Sequence, residues 1–171
     1  SVQVRVATTD DFAAEGNETF TLTATVTAGS TSNASAVGTA TITDDSDTTT
    51  VSLSATPSVV EGSSITYTAT LTNAAVTPLT VTLSSGQTIT IAAGATTGSV
   101  SIAAPTDDPY IDAGTVSRTI ATTSGGGLEA LAIDTTAAVT NVTDDSDATT
   151  VTLTATPSVA EGGTITYTVS L

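Results

Sequence analysis

The chain of 171 residues carries 17 Asp plus Glu against 2 Lys plus Arg, a formal charge of -15, with no His, Cys, Met or Trp. Phosphate binding rests on clustered basic side chains, so nucleic acid is not expected as a partner. Without imidazole or thiol there is no cysteine or histidine catalysis, no disulfide and no zinc site of the usual kind. Along the chain, Val2-Gln3-Val4-Arg5-Val6 and Phe20 to Val26 alternate aliphatic with polar residues, the period-two signature of half-buried strands. From residue 49 onward the alternation and its punctuation predict strands over 49–55, 64–72, 78–84, 87–92, 97–103, 115–122 and 136–143. Thr, about a quarter of the residues, suits the pleated backbone and turns its hydroxyl to water. Nothing has a helical period, and no apolar run reaches the roughly 18–20 residues of a membrane span.

Residues 41–71 recur as 141–171 with 21 of 31 positions identical, an offset of 100. That period is too long for a solenoid turn and suits a free-standing domain. The chain therefore divides into the C-terminal half of one repeat at 1–46, a complete repeat at 47–146 and the beginning of a third at 147–171, and it reads as a piece of something longer. Seven short strands with frequent turns predict an all-β fold, an immunoglobulin-like Greek-key β-sandwich in tandem array. The core is aliphatic. Tyr67 has the inward phase of its strand, with its hydroxyl expected near the rim. Arg118 also points inward, which a local bulge or a snorkelling stem would relieve more readily than a buried ion pair.

The acids are not scattered. Fourteen of the 17 occupy recurring places: Asp10, Asp11 and Glu15; Asp44, Asp45 and Asp47; Glu61; Asp107, Asp108 and Asp112; Asp144, Asp145 and Asp147; Glu161. In a Greek-key sandwich the loop before the sixth strand, the exit of the last strand and a break in the first can share one pole. Glu61, Asp107, Asp108, Asp112, Asp144 and Asp145 would then converge. Two full charges at 4 Å repel by about 4 kcal/mol at an effective dielectric near 20, so the cluster must protonate, spread or take a cation. With two basic residues in the chain, a hard, oxygen-seeking cation is the available neutraliser, and Ca2+ accepts such donors in flexible geometry. The alternatives are a solvated acidic loop without an ion, and paired catalytic carboxylates of the glycosidase kind. The latter would want a cleft with aromatic platforms, for which the chain offers Tyr110 near one pole and little else, so no enzyme is expected. Asp47 and Asp147 fall in short junctions free of Gly and Pro, from which they could reach an ion at the end of the preceding unit or a second ion held with the following unit.

Thr9-Asp10-Asp11-Phe12-Ala13-Ala14-Glu15-Gly16-Asn17-Glu18-Thr19-Phe20, followed by Ala40-Thr41-Ile42-Thr43-Asp44-Asp45, resembles the second half of a Calx-beta domain. With the Glu61-Gly62 element and the DDSD junction, the chain is similar to the calcium-binding immunoglobulin-like repeats of the extender region in large RTX-type bacterial adhesins. The resemblance implies calcium ligands at Glu61, Asp107, Asp108, Asp112, Asp144 and Asp145 in the complete unit. It implies Asp10, Asp11, Glu15, Asp44 and Asp45 in the first unit, and Glu161 as the start of a third site. The position of Glu18 carries no acid in the complete unit, where Thr115 or Val116 falls. The resemblance further implies type I secretion, the surface of a Gram-negative bacterium, and adhesion or biofilm formation.

The reading that unites these features is a calcium-rigidified spacer projecting a distal binding region. Its partners are neighbouring repeats of the same chain, bridged by calcium, with no membrane insertion. The alternatives are a sugar- or protein-binding sandwich module and a calcium-sensing Calx-beta domain. The incomplete halves at 1–46 and 147–171 leave strand edges open and are expected to fray or to pair between molecules.

Overall fold

The computed structural model describes residues 2–111 and 113–171, and no helix occurs among them. The first unit contributes a hairpin, β1 (Glu18–Thr25) with β2 (Ser35–Ile42). The central unit runs through β3 (Thr48–Ala55), β4 (Ser58–Val60), β5 (Ser64–Leu71), β6 (Leu79–Leu83), β7 (Thr88–Ile91) and β8 (Thr97–Ala103). It continues with β9 (Gly114–Arg118), β10 (Ile120–Gly125), β11 (Ala130–Ile133) and β12 (Ala138–Thr143). A last pair, β13 (Thr152–Ala155) and β14 (Tyr167–Ser170), belongs to the third unit.

The central unit is a two-layered β-sandwich. One layer has the order β11-β3-β5-β8, antiparallel except where β11 joins β3 in parallel. The other is assembled from β4-β12-β9 and β10-β6-β7. These two groups meet at Thr119, whose carbonyl accepts the Ser84 N–H at 2.9 Å and whose N–H donates to Ser84 Oγ at 3.2 Å. Alternation decides the faces: Ile65, Tyr67, Ala69 and Leu71 of β5 point inward, as do Leu79, Val81 and Leu83 of β6 and Ile89 and Ile91 of β7. All nine are at most 3% exposed, and each Leu or Ile so covered stabilises the fold by about 1.5–3 kcal/mol. The intervening Thr and Ser face outward and hydrogen-bond across strands, as Thr66 Oγ1 does with Ser101 Oγ at 3.1 Å.

Four expectations need correction. The strand over 115–122 is two strands, because the chain crosses from β12 to β6 at Thr119 and slips register again between Ile120 and Thr122. Val116 and Arg118 share the inward phase of β9. Arg118 ends that strand, donating from Nη1 to Ser117 O at 2.9 Å while its Nε is buried without a hydrogen-bond partner. β4 and β11 were not foreseen: one has three residues after Pro57, and the other is half-buried along its whole length, so neither shows alternation. Val2 to Val6 form no strand and stay exposed, since no neighbouring strand lies beside them to fix the extended form. Tyr67 lies inward, yet its hydroxyl is not at the rim; it is buried with no hydrogen-bond partner.

The copies keep local details. Thr56 N–H donates to Thr66 O and Thr66 N–H to Thr56 Oγ1, and Thr156 and Thr166 repeat both bonds one period later. The hairpin β1–β2 and the pair β13–β14 are solvent-exposed over nearly every residue.

Candidate metal centres

The first strand of the central unit breaks at Pro57 and crosses layers, and this builds the second of two acidic centres. β4 runs parallel to β12, with Asn141 N–H donating to Pro57 O at 3.0 Å and Glu61 N–H to Thr143 O at 3.0 Å. Glu61 is thereby carried to the end of β12, where its Oε1 accepts the Asp145 N–H at 3.3 Å. Gly62 closes the turn with φ +70, and a Cβ on it would stand 3.1 Å from Asp107 Cβ. The missing side chain lets the 105–108 segment come in close, held by a Gly62 N–H to Pro105 O bond of 2.7 Å. Carboxylate oxygens of Glu61, Asp107 and Asp145 consequently lie within 4.8 Å of one another. Glu61 is only 6% exposed, whereas the other two are open to solvent.

A cavity of about 130 Å³ that Glu61 does not line is bordered by Asp108, Tyr110, Ile111, Asp144, Asp145 and Asp147. Asp108 also shapes its own loop, accepting the Tyr110 N–H at 2.9 Å. Asp112 lies outside the described residues. Glu161 occupies an exposed turn and joins neither group of close carboxylates found among the described residues.

The first centre repeats this arrangement at the end of the first unit. Oxygens of Asp10, Asp45 and Asp47 lie within 4.8 Å of one another, Asp10 and Asp45 matching Asp107 and Asp145 of the complete unit. The third carboxylate differs: here it is Asp47, from the junction, and in the complete unit it is Glu61. A cavity of about 270 Å³ beside it is lined by Asp10, Asp11, Glu15, Glu18, Asp44, Asp45 and Glu129. Asp11 accepts the Ala13 N–H at 2.8 Å, the turn seen at Asp108, and Asp44 accepts the Glu15 N–H at 3.0 Å.

Glu129 is the residue that sequence reasoning missed. It belongs to the central unit yet reaches the first centre, where its Oε2 accepts the Asp47 N–H at 2.5 Å. The one available signal was its place after Gly125-Gly126-Gly127, more glycine than a simple turn needs.

The electrostatics follow from crowding. The charges of Asp45 and Asp47, then burial and Asp11, hold Asp10 above the usual carboxylate range. Burial first, then Asp107, Asp147 and Asp144, raises Asp145. The Asp47 N–H draws Glu129 downward, but burial and the charges of Asp44, Asp45 and Asp47 leave it raised. Each centre thus offers only oxygen donors carrying negative charge, a set that fits a hard divalent cation such as Ca2+.

The fold defines an all-β sandwich, and its charged side chains gather as carboxylates in two centres. The sequence profile of the LapA domain matches residues 47–145, and the chain belongs to that family, a domain of LapA-type large adhesins. Membership ties the chain to large cell-surface proteins of adhesion and biofilm formation. No curated protein matches the chain. No helix among the described residues is long and apolar enough to cross a membrane.

Proposed function

We propose that the chain is a calcium-rigidified stretch of spacer in a giant secreted adhesin of a Gram-negative bacterium, holding a distal binding region away from the cell. Its units are residues 1–46, 47–146 and 147–171, similar to the Calx-beta-like extender repeats of RTX adhesins. The observation that carries the reading is the gathering of three carboxylates at the ends of two successive units, two of the three at matching positions and one member, Glu61, buried in the complete copy. Like charges at such spacing are stable only when a cation or protons intervene, and Ca2+ between carboxylates of adjoining units would convert a repelling joint into a stiff one. Asp10, Asp45 and Asp47 would hold one ion, and Glu61, Asp107 and Asp145 another. Asp11, Glu15, Asp44, Asp108, Asp112, Asp144 and Asp147 would complete the shells or support them, and Glu161 would open the next site.

Two measurements test this. Thermal melting in calcium and in chelator should differ by many degrees, and small-angle scattering should show a longer, stiffer particle in calcium. Melting and dimensions that ignore calcium would overturn the proposal.

A further inference from the structure

The loop between β10 and β11 is built to protrude. Gly125, Gly126 and Gly127 all have positive φ, at 87, 96 and 60. A Cβ on Gly125 would lie 2.5 Å from Pro78 O. Val76 and Thr77 donate to Gly126 O at 2.8 and 3.0 Å, and Gly126 donates to Pro78 O at 3.2 Å. This anchored loop presents Leu128 and Glu129 to the unit before it. There, Ala14 N–H donates to Gly127 O at 3.1 Å, Glu129 N–H donates to Phe12 O at 3.2 Å, and Ala13 pairs with Leu128 in an antiparallel bridge.

The seat that receives the loop recurs in the central unit. Ala13 follows the turn made by Asp11, and Tyr110 follows the same turn made by Asp108. In that register Pro109 matches Phe12, Tyr110 matches Ala13 and Ile111 matches Ala14. The contact uses the carbonyl of the first position and the N–H of the third, so proline is permitted at the first, where no N–H is called for. Tyr110 is 74% exposed and Ile111 is 94% exposed, two large apolar side chains side by side at the end of the unit.

We propose that Pro109–Ile111 is a docking surface for a second copy of the Gly125–Glu129 loop, carried by the unit that follows, and that this contact interlocks successive units. The inference rests on the tandem reading of the chain and is independent of the ion. What carries it is continuity: the same loop already occupies the equivalent seat one unit earlier.

The absence of cysteine permits a clean test. Leu171 matches Leu71, so the chain extended after Leu171 by a copy of residues 72–146 contains a complete third unit. Bridge partners in an antiparallel pair stand about 4.5–5.5 Å apart at Cα, within the reach of a disulfide at about 4.4–6.8 Å. Ala13→Cys with Leu128→Cys serves as the reference pair. Tyr110→Cys with Leu→Cys at the matching position of the added copy is the test pair, oxidised in calcium and in chelator. A test bond in either condition, as efficient as the reference bond within about threefold, supports the inference. A test bond in neither, or a failed reference bond, overturns it. Should the cysteine variants fold poorly, amide exchange on the unsubstituted extended chain decides: Ile111 N–H should exchange at least tenfold more slowly than in the 171-residue chain, and an unchanged rate overturns the inference. Loss of the calcium effect on melting with the test bond intact would defeat the spacer proposal and leave this one standing.

Discussion

Replacing Glu61 by Gln should stabilise the protein in chelator and destabilise it in calcium. The substitution keeps the oxygen that accepts the Asp145 N–H and the shape of a side chain only 6% exposed, and it removes one negative charge from a triad whose oxygens lie within 4.8 Å. At that separation one pair of charges repels by about 0.9 kcal/mol at the dielectric of water and about 3.5 kcal/mol at an effective value of 20. The two partners of Glu61 are exposed, so solvent and salt pull the result toward the lower figure. Two pairs relieved then give about 2 kcal/mol, or roughly 8–16 °C in Tm for a domain of about 100 residues. In saturating calcium the lost ligand charge weakens binding, and the Tm gained on adding calcium shrinks. Differential scanning calorimetry in both buffers reads the two signs directly. A variant less stable than the parent in chelator would refute the repulsion, and an unchanged calcium increment would remove Glu61 from the ion's shell.

Tyr67→Phe deletes a buried hydroxyl that has no hydrogen-bond partner, and relief of that desolvation cost should raise stability by about 1 kcal/mol; urea denaturation that shows a clear loss would mean the hydroxyl is bonded in solution. Gly62→Ala meets both a positive φ and the Asp107 side chain at 3.1 Å, whereas Gly162→Ala meets a positive φ with nothing within 4 Å. The first should therefore cost about 1–2 kcal/mol or more and blunt the calcium response, while the second leaves that response intact; equal responses in calcium titrations would contradict the close-approach account. In chelator, Asp10 and Asp145 bind protons more readily folded than unfolded. Their contribution is unfavourable at neutral pH and is relieved as pH falls through their raised folded values toward 3.8. Melting followed from pH 7 to 4 in chelator should show Glu129, Asp10 and Asp145 acting in this sense, and substitution of Asp10 and Asp145 by Asn should flatten the dependence; an unaltered profile would refute it.

The sandwich was legible because Thr and aliphatic residues alternate so regularly that the inward set of β5, β6 and β7 can be read from the sequence with period two alone. What escaped lacks that period. β11 is half-buried on both faces, β4 is cut to three residues by Pro57, and Thr119 falls at a switch of partner inside an unbroken alternation. The gathering of Asp10 with Asp45, and of Asp107 with Asp145 and Glu61, was legible because acids that recur from unit to unit mark residues with a shared local task. Glu129 was not, since no acid lies between Glu18 and Asp44 of the first unit to repeat it, and its partner, the Asp47 N–H, is a backbone group. Tyr67 shows a further limit: strand phase says which way a side chain points and nothing of how deep its tip ends.

The crossing of the first strand at Pro57 also determines how the molecule would answer a pull. The chain enters the central unit along β3 and leaves along β12, and β4, the continuation of β3, lies parallel to β12 with both ending at one pole. Traction on the two ends drags β4 and β12 in opposite senses along their length. The bonds between them, Asn141 N–H to Pro57 O, Glu61 N–H to Thr143 O, and the hydroxyls of Thr140 and Thr143 to Thr56 O and Val59 O, are then loaded in shear and must break together. A hairpin opened from its end would instead lose them singly, so the sheet switch that delivers Glu61 to its pole also makes each bead a mechanical fastener, and single-molecule extension should show one abrupt high-force event per complete unit.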